Sequence, residues 1–245
     1  MDDPRPGGTD YQPLYAQVRK LLTQRIGAGI WKPGDLLPSE FQLAAEYNVS
    51  QGTMRKALVS LEADRLIVRR QGKGTFVARH SRPEALYHFF RMVGLDGQRL
   101  IPASVVLTQR VQRATRDQSC RLEVAAGTML HAIVRIRTFN GRPAIFERIY
   151  VPVSLMAGLA ITPGVEMPFE MYVIYQEQHG ITIARATERL ASVAATAMEA
   201  RHLGVEPGVP LLEVARVATD VNGATVELRI SRCNTATTRY AAEVD

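Results

Sequence analysis

Residues 114–139 recur 81 positions further along the chain. The displacement lays Ala114 on Ala195, Thr115 on Thr196, Leu122 on Leu203, Val124 on Val205, Gly127 on Gly208, Leu130 on Leu211, Arg135 on Arg216 and Thr138 on Thr219. These eight identities fall within 26 positions, where average residue usage yields about one or two by chance. Each copy reads as a helix followed by strand, turn and strand. "HAIVRIRTF" meets "RPAIFERIYV" through Asn140-Gly141, and Asn222-Gly223 makes the second turn. Asn-Gly between apolar runs is the strongest short-range hairpin signal, because both residues tolerate the positive φ such a turn needs. A unit duplicated once predicts a single antiparallel sheet in two pseudo-equivalent halves, an α+β arrangement and not a solenoid.

The first eighty residues follow another pattern. Leu14, Val18, Leu21, Leu22, Ile26 and Ile30 recur at three- and four-residue steps, predicting an amphipathic helix from Pro13 to about Ala28. "WKPGDLLP" breaks it. Ser39 and Gln42 then have the capping-box spacing, opening a short helix with Phe41, Ala44 and Ala45 expected inward. In "EYNVS", Asn48 suits a left-handed helix end and Ser50 caps a new helix two residues later. That spacing is a tight helix-turn-helix. The helix from Ser50 to about Asp64 is expected to bury Met54, Ala57, Leu58 and Leu61 and to present Gln51, Thr53, Arg55 and Lys56. "RLIVRR" and "GTFVAR" flank "QGKG" as a β-hairpin. Three helices and a basic hairpin make a winged helix-turn-helix.

Charge has the same address. Of a net +6, residues 49–79 carry +5, seven basic side chains against Glu62 and Asp64. Charge concentrated in this way suits a polyanion, while a merely solvated basic face remains open on charge alone. A helix entering the major groove reads bases from its first turns. Arg55 suits guanine and Gln51 adenine, and Thr53 and Lys56 suit phosphates. "RRQGKGTFV" does not suit a nucleotide cradle, since its Gly and Lys are in the wrong order and a strand follows. No apolar run approaches the roughly 18 residues of a membrane span. The two cysteines, Cys120 and Cys233, read as reduced core thiols of a cytoplasmic protein.

The run from Leu14 to Ala78, with "LPSE", "VSQGTMRKAL" and "GKGTFV" in order, resembles the DNA-binding domain of the gluconate-repressor (GntR) family. That resemblance implies DNA contacts by Ser39, Ser50, Gln51, Gly52, Thr53, Arg55, Lys56, Gln71, Gly72 and Lys73. It places the tip Gln71–Lys73 at the minor groove. Phe41 stands where the family usually has a basic residue, and it is not carried over. From about residue 87, "GTMLHAIVRIR", "NGRP", "ERIYVP", "HGITIARATE", "LGVEPGVPLL" and "VELR" resemble the UTRA effector-binding domain of the HutC-type branch, which has a chorismate-lyase-like fold. The implied organisation is a disordered lead-in at 1–10, the winged helix at 11–77, a linker at 78–86 and an effector-binding and dimerisation domain at 87–245. The implied function is a homodimeric regulator, most simply a repressor, on palindromic double-stranded DNA.

Arg135 and Arg137 lie two apart on one predicted strand, hence on one face. They suit an anionic ligand held by bidentate hydrogen bonds, or else an ion pair with Glu147. By resemblance Glu147, Glu188 and Glu227 are pocket carboxylates, with Phe89, Phe90 and Tyr172 beside them. Phe89 and Phe90 occupy a loop where phosphate binders place a small hydroxyl residue, and Met171-Tyr172-Val173 replaces their Ser-Leu-Tyr. A phosphosugar is therefore disfavoured, and a small anionic effector with an apolar part is expected. No cofactor, metal, membrane or catalytic site is expected. Glu199 and His202 share a helix face without a third ligand. Two other classes stand beside the regulator: a chorismate-lyase-like enzyme in the second domain, and an architectural DNA binder without an effector.

Overall fold

The structure is a computed structural model that describes residues 12–79, 89–167 and 170–242. The expectations placed on residues 1–11, on the linker from 80 to 86 and on the effector domain at 87–88, 168–169 and 243–245 lie outside the described residues. Two compact units meet at Arg79/His80.

The first unit is built from α1 (Leu14–Gly27), α2 (Glu40–Glu46), α3 (Gln51–Ala63) and the hairpin β1 (Ile67–Arg70) and β2 (Gly74–Val77). Val18, Leu22 and Ile26 of α1 pack in a core that includes Leu43, Ala44, Met54, Ala57, Leu58 and Leu61. Leu14, Leu21 and Ile30, expected on the same face, are exposed. The buried stripe is the strict four-residue row, and this small unit has no second layer to cover a wider one. On α2 the expectation that Phe41 and Ala45 point inward is corrected. Leu43 and Ala44 are buried, and Phe41 is 67% exposed. A seven-residue helix shows little more than one stripe to the core, and Leu43 takes it.

Asn48 has φ 50°, and Ser50 Oγ accepts from the Thr53 amide at 3.1 Å, as the two-residue turn requires. "KPGDLLP" is more than a break. The Leu37 amide donates to Thr75 O, and Leu36 bridges Phe76. The segment thus pairs with β2 through an isolated antiparallel bridge. Gly74, at φ 107°, lets it pass, since a Cβ there would sit 2.7 Å from Leu36 Cδ1.

The second unit is one six-stranded antiparallel sheet ordered β4-β5-β6-β9-β8-β7. Its members are β4 (Ala103–Arg113), β5 (Met129–Phe139), β6 (Arg142–Pro152), β7 (Ile183–Ala194), β8 (Pro210–Asp220) and β9 (Thr225–Cys233). The order is a palindrome, so β4, β5 and β6 mirror β7, β8 and β9. The duplication is visible in the element bounds. Helices α4 (Arg116–Leu122) and α6 (Ala197–Leu203) differ by 81 at both ends, as do β5 and β8. Their capping boxes, Thr115 with Gln118 and Thr196 with Glu199, share that displacement.

Helices α4 and α6 cover one sheet face, through Leu122 against Leu130 and Leu228, and through Ala200 and Leu203 against Ile136, Phe146 and Leu211. Helix α5 (Met171–His179) covers the other. Its Met171, Tyr172, Ile174 and Tyr175 pack with Ile133, Ile149, Val151 and Val226. A small ladder of β3 (Met92–Gly94) and β10 (Thr238–Tyr240) packs its Met92 and Tyr240 with Ile145, Val214 and Cys233. Cys233 is buried, whereas Cys120, also expected in a core, is exposed on α4. Among the described residues no helix is long and apolar enough to cross a membrane.

The two turns differ. Asn140 and Gly141 have φ 49° and 74°, the paired positive values of a tight two-residue hairpin. Beyond β8 only Gly223 is positive, and the Asp220 carboxylate accepts from the Asn222 and Ala224 amides at 2.9 Å each. An Asp just ahead of Asn-Gly offers a side-chain turn that competes with the tight one.

Candidate functional site

In the first unit the predicted contacts lie on the start of α3, on the start of α2 and on the hairpin tip. Ser50 and Ser39 are occupied as caps, Ser39 in a full capping box with Gln42, and the Thr53 hydroxyl lies 2.9 Å from Ser50 Oγ. Gln51, Gly52, Arg55 and Lys56 are exposed at the start of α3. Arg55 is aimed by a carboxylate, its Nε donating to Glu40 Oε1 at 2.9 Å while 65% of the side chain stays exposed. Glu40 thus ties the first turns of α2 and α3 together. On the hairpin, Gln71, Gly72 and Lys73 are exposed and Gly72 has φ 70°. Behind them Arg69 pairs with Glu62 at 3.2 Å, and Arg70 lies over the Phe76 ring.

In the second unit, side chains two apart on neighbouring strands converge under α5. They are Arg135 and Arg137 on β5, Glu147 on β6, Glu188 on β7, Arg216 on β8, and Glu227, Arg229 and Ser231 on β9. Four guanidiniums are buried there, at 0% to 8% exposure. Burying charge is tolerable only with partners, and each has one. Arg135 Nε donates to Glu147 Oε2 at 2.5 Å, and Arg137 Nη2 to Glu170 Oε1 at 2.8 Å. Arg216 Nε donates to Glu188 Oε1 at 2.7 Å, and Arg229 forks onto both oxygens of Glu227 at 3.0 and 2.8 Å. The Tyr172 and Tyr175 hydroxyls also donate to Glu227, at 3.1 and 2.7 Å. Tyr240 donates to Glu188, and Ser231 to Glu147 at 3.0 Å.

Protonation follows from these contacts. Burial alone would raise Glu147, but the guanidiniums of Arg135, Arg229 and Arg137 outweigh it and hold the carboxyl well below its ordinary 4.5. Burial pulls Arg137 down to about 10, with Glu170 opposing. Burial and the Glu227 carboxylate push Tyr172 up to about 12, so its hydroxyl stays a donor.

Two small, half-open hollows reach this cluster. Both are lined by Phe90, Arg137, Arg216 and Arg229. Of the predicted effector residues, Glu147 and Glu188 line the larger hollow and Phe89 and Tyr172 the smaller. Arg135 and Glu227 line neither. Arg135 is fully buried behind Glu147, and Glu227 is consumed by Arg229 and the two tyrosines. The sequence reading did not include Glu170, Arg216, Arg229, Ser231 and Tyr240. One signal was available for Arg216, because the 81-residue displacement puts it on Arg135. Glu170 carries no periodic signal, being the residue just ahead of α5. Glu199, raised with His202 as a weak metal pair, caps α6 and accepts from Arg148 at 2.9 Å.

Family models match both units. Residues 14–77 match the bacterial regulatory proteins of the gntR family, and residues 97–239 match the UTRA domain. The chain is 29% identical to the HTH-type transcriptional repressor NagR of Bacillus subtilis over 218 residues, 88% of each protein. It resembles PhnF from Mycobacterium smegmatis, at 25% identity and TM-score 0.55, over 93% of this chain and 99% of that one. The ligand-binding domain of a chain assigned to the GntR family, from Bordetella bronchiseptica, matches at 27% identity and TM-score 0.61, over 65% of this chain and 99% of that one. A helix-turn-helix and basic hairpin in one unit, a buried charged pocket in the other and matches along both lead to one assignment: the chain belongs to the gntR family of bacterial regulators that carry a UTRA domain, and is a DNA-binding transcriptional regulator and not an enzyme.

Proposed function

We propose that this regulator is a cytoplasmic, homodimeric repressor whose affinity for a palindromic operator changes when a small carboxylate-bearing metabolite enters the hollow around Arg137, Arg216 and Arg229. The observation that carries the reading is the convergence of buried guanidiniums from three strands on one half-open, partly apolar hollow. Phe90, Ile145, Val214 and Cys233 supply the apolar part. Fork-shaped donors match a planar carboxylate. The DNA-reading unit is assigned to 11–77, the joining segment to 78–86 and the effector unit to 87–245. Base contacts are assigned to Gln51 and Arg55, and backbone and minor-groove contacts to Ser39, Ser50, Gly52, Thr53, Lys56, Gln71, Gly72 and Lys73. Phe89, Phe90, Arg137, Glu147, Tyr172 and Glu188 belong to the pocket, with Arg135 and Glu227 bracing it from behind. The test is a thermal-shift screen of carboxylate metabolites on the full chain, followed by operator titration with the hits. A ligand that raises the melting temperature and shifts operator affinity supports the reading. A hit that binds without moving operator affinity refutes the regulatory half.

A further inference from the structure

The buried groups of the pocket are electrically balanced before any ligand arrives, and Arg91 adds an exposed guanidinium to the wall of the larger hollow. Arg135, Arg137, Arg216 and Arg229 face Glu147, Glu170, Glu188 and Glu227, each joined in an ion pair at 4.0 Å or less. A carboxylate entering beside Arg137 adds a buried negative charge for which no buried guanidinium is left unpaired, unless a resident carboxylate leaves.

The four residents are not equally held. Glu147 has Arg135 and Ser231, with Arg137 and Arg229 both at 4.0 Å. Glu227 has Arg229 twice and two tyrosine hydroxyls. Glu188 has Arg216 and Tyr240. Among the described residues Glu170 has one side-chain hydrogen bond, from Arg137 Nη2 at 2.8 Å, and its side chain keeps 14% exposure at the lip of the smaller hollow. It stands at the N-cap of α5, yet its carboxylate makes no capping hydrogen bond to the helix. It is turned to Arg137 instead.

That contact is a poor use of the guanidinium. Arg137 is 2% exposed, its Nε is buried without a hydrogen-bond partner, and the Phe90 ring lies 4.4 Å from its carbon. One face is covered, one donor is engaged end-on and a second is idle. A ligand carboxylate lying side-on satisfies Nε and Nη2 together, the stronger two-bond geometry. The start of α5 beside it favours negative charge.

We propose that Glu170 is a resident occupant of the anion seat on Arg137, and that the effector's carboxylate displaces it. This rests on the pocket reading above and adds to it an internal competitor that raises the concentration at which the effector binds.

The test uses the full chain and benzoate, a planar carboxylate on an apolar body, with benzamide as the uncharged control, measured by calorimetric titration. Glu170→Gln keeps size and shape and removes the competing charge. It is expected to bind benzoate about tenfold more tightly than the native chain, as when a seat occupied nine-tenths of the time is vacated, with benzamide unchanged. Arg137→Gln in the Glu170→Gln background is expected to cancel the gain. Glu170→Ala serves as the second variant, and a melting curve verifies that each is folded. Equal or weaker benzoate binding by folded Glu170→Gln, or none at all, overturns the displacement, because the vacated seat must take a small carboxylate. If Arg137→Gln alone abolishes binding in that case, the pocket reading survives its competitor. Benzoate binding indifferent to Arg137 overturns both.

Discussion

Arg135 and Arg137 were equivalent on the sequence and are not equivalent in the fold. Arg135 is a brace. Truncating it to Ala leaves Glu147 charged and buried, so Arg135→Ala is expected to destabilise the second unit by about 3–5 kcal/mol, read by urea unfolding. A loss under about 1 kcal/mol would show that Glu147 finds other partners. Glu147 also sets an acid limit. Its folded pKa is depressed, so it binds fewer protons folded than unfolded, and its contribution is complete above the ordinary 4.5 and fades as pH falls below it. The melting temperature of the second unit should therefore fall below about pH 4.5 more steeply than in Glu147→Gln, which keeps only the acid dependence of the remaining paired carboxylates such as Glu199. In the first unit, Arg55→Ala is expected to cost about 1–3 kcal/mol of operator binding and to relax preference at one base pair. Equal weakening on random DNA would reduce Arg55 to a phosphate contact. The two guanidiniums of β5 were legible as one face because a strand alternates strictly. Which of them meets the cavity depended on Glu147 from β6, paired at register Arg135↔Glu147.

Among the elements, ends and turns were the most readable. The caps at Ser39, Ser50, Thr115 and Thr196 are three-residue events, complete in the local sequence. Ser50→Ala should cost about 1 kcal/mol of stability in the first unit, measurable as a shift in denaturation midpoint at constant m-value. No shift would mean that the turn is held by Asn48 and Val49 without the cap. Local reading failed where a neighbour competed. Asn222-Gly223 carries the same dipeptide as Asn140-Gly141, but the Asp220 side chain captures its amides and widens the loop. Phe41 fits an inward helical position by spacing, and Leu43 occupies the core ahead of it. On α1 the buried stripe is narrower than the periodic one, because the unit offers only one packing surface.

At the scale of the whole molecule, two bodies divide two tasks, and the expected outcome is that each responds to its own variable. Operator affinity should fall steeply with salt, and Lys73→Ala should reduce the log–log slope by about 1 if the wing tip contacts a phosphate. Benzoate affinity at the buried seat should respond far less, since buried charges are screened less than exposed ones. A Lys73→Ala slope equal to that of the native chain would remove the wing from the phosphate contacts. The sequence by itself determined the helix-turn-helix, the basic wing, the duplicated half-sheet and the strand face that carries the arginines. Each of these rests on a local period, a cap or a repeat that neighbouring residues express without help. The tertiary structure alone decided that Arg137 faces Glu170, that Arg135 stands behind Glu147, and that four guanidiniums meet four carboxylates with none to spare. Those pairings join residues 12 to 33 apart in the chain, or two apart with shared tyrosines from another element, and are set by strand register and by where α5 lands. A buried charge is stable only among the partners the completed fold brings to it, and no local pattern names them.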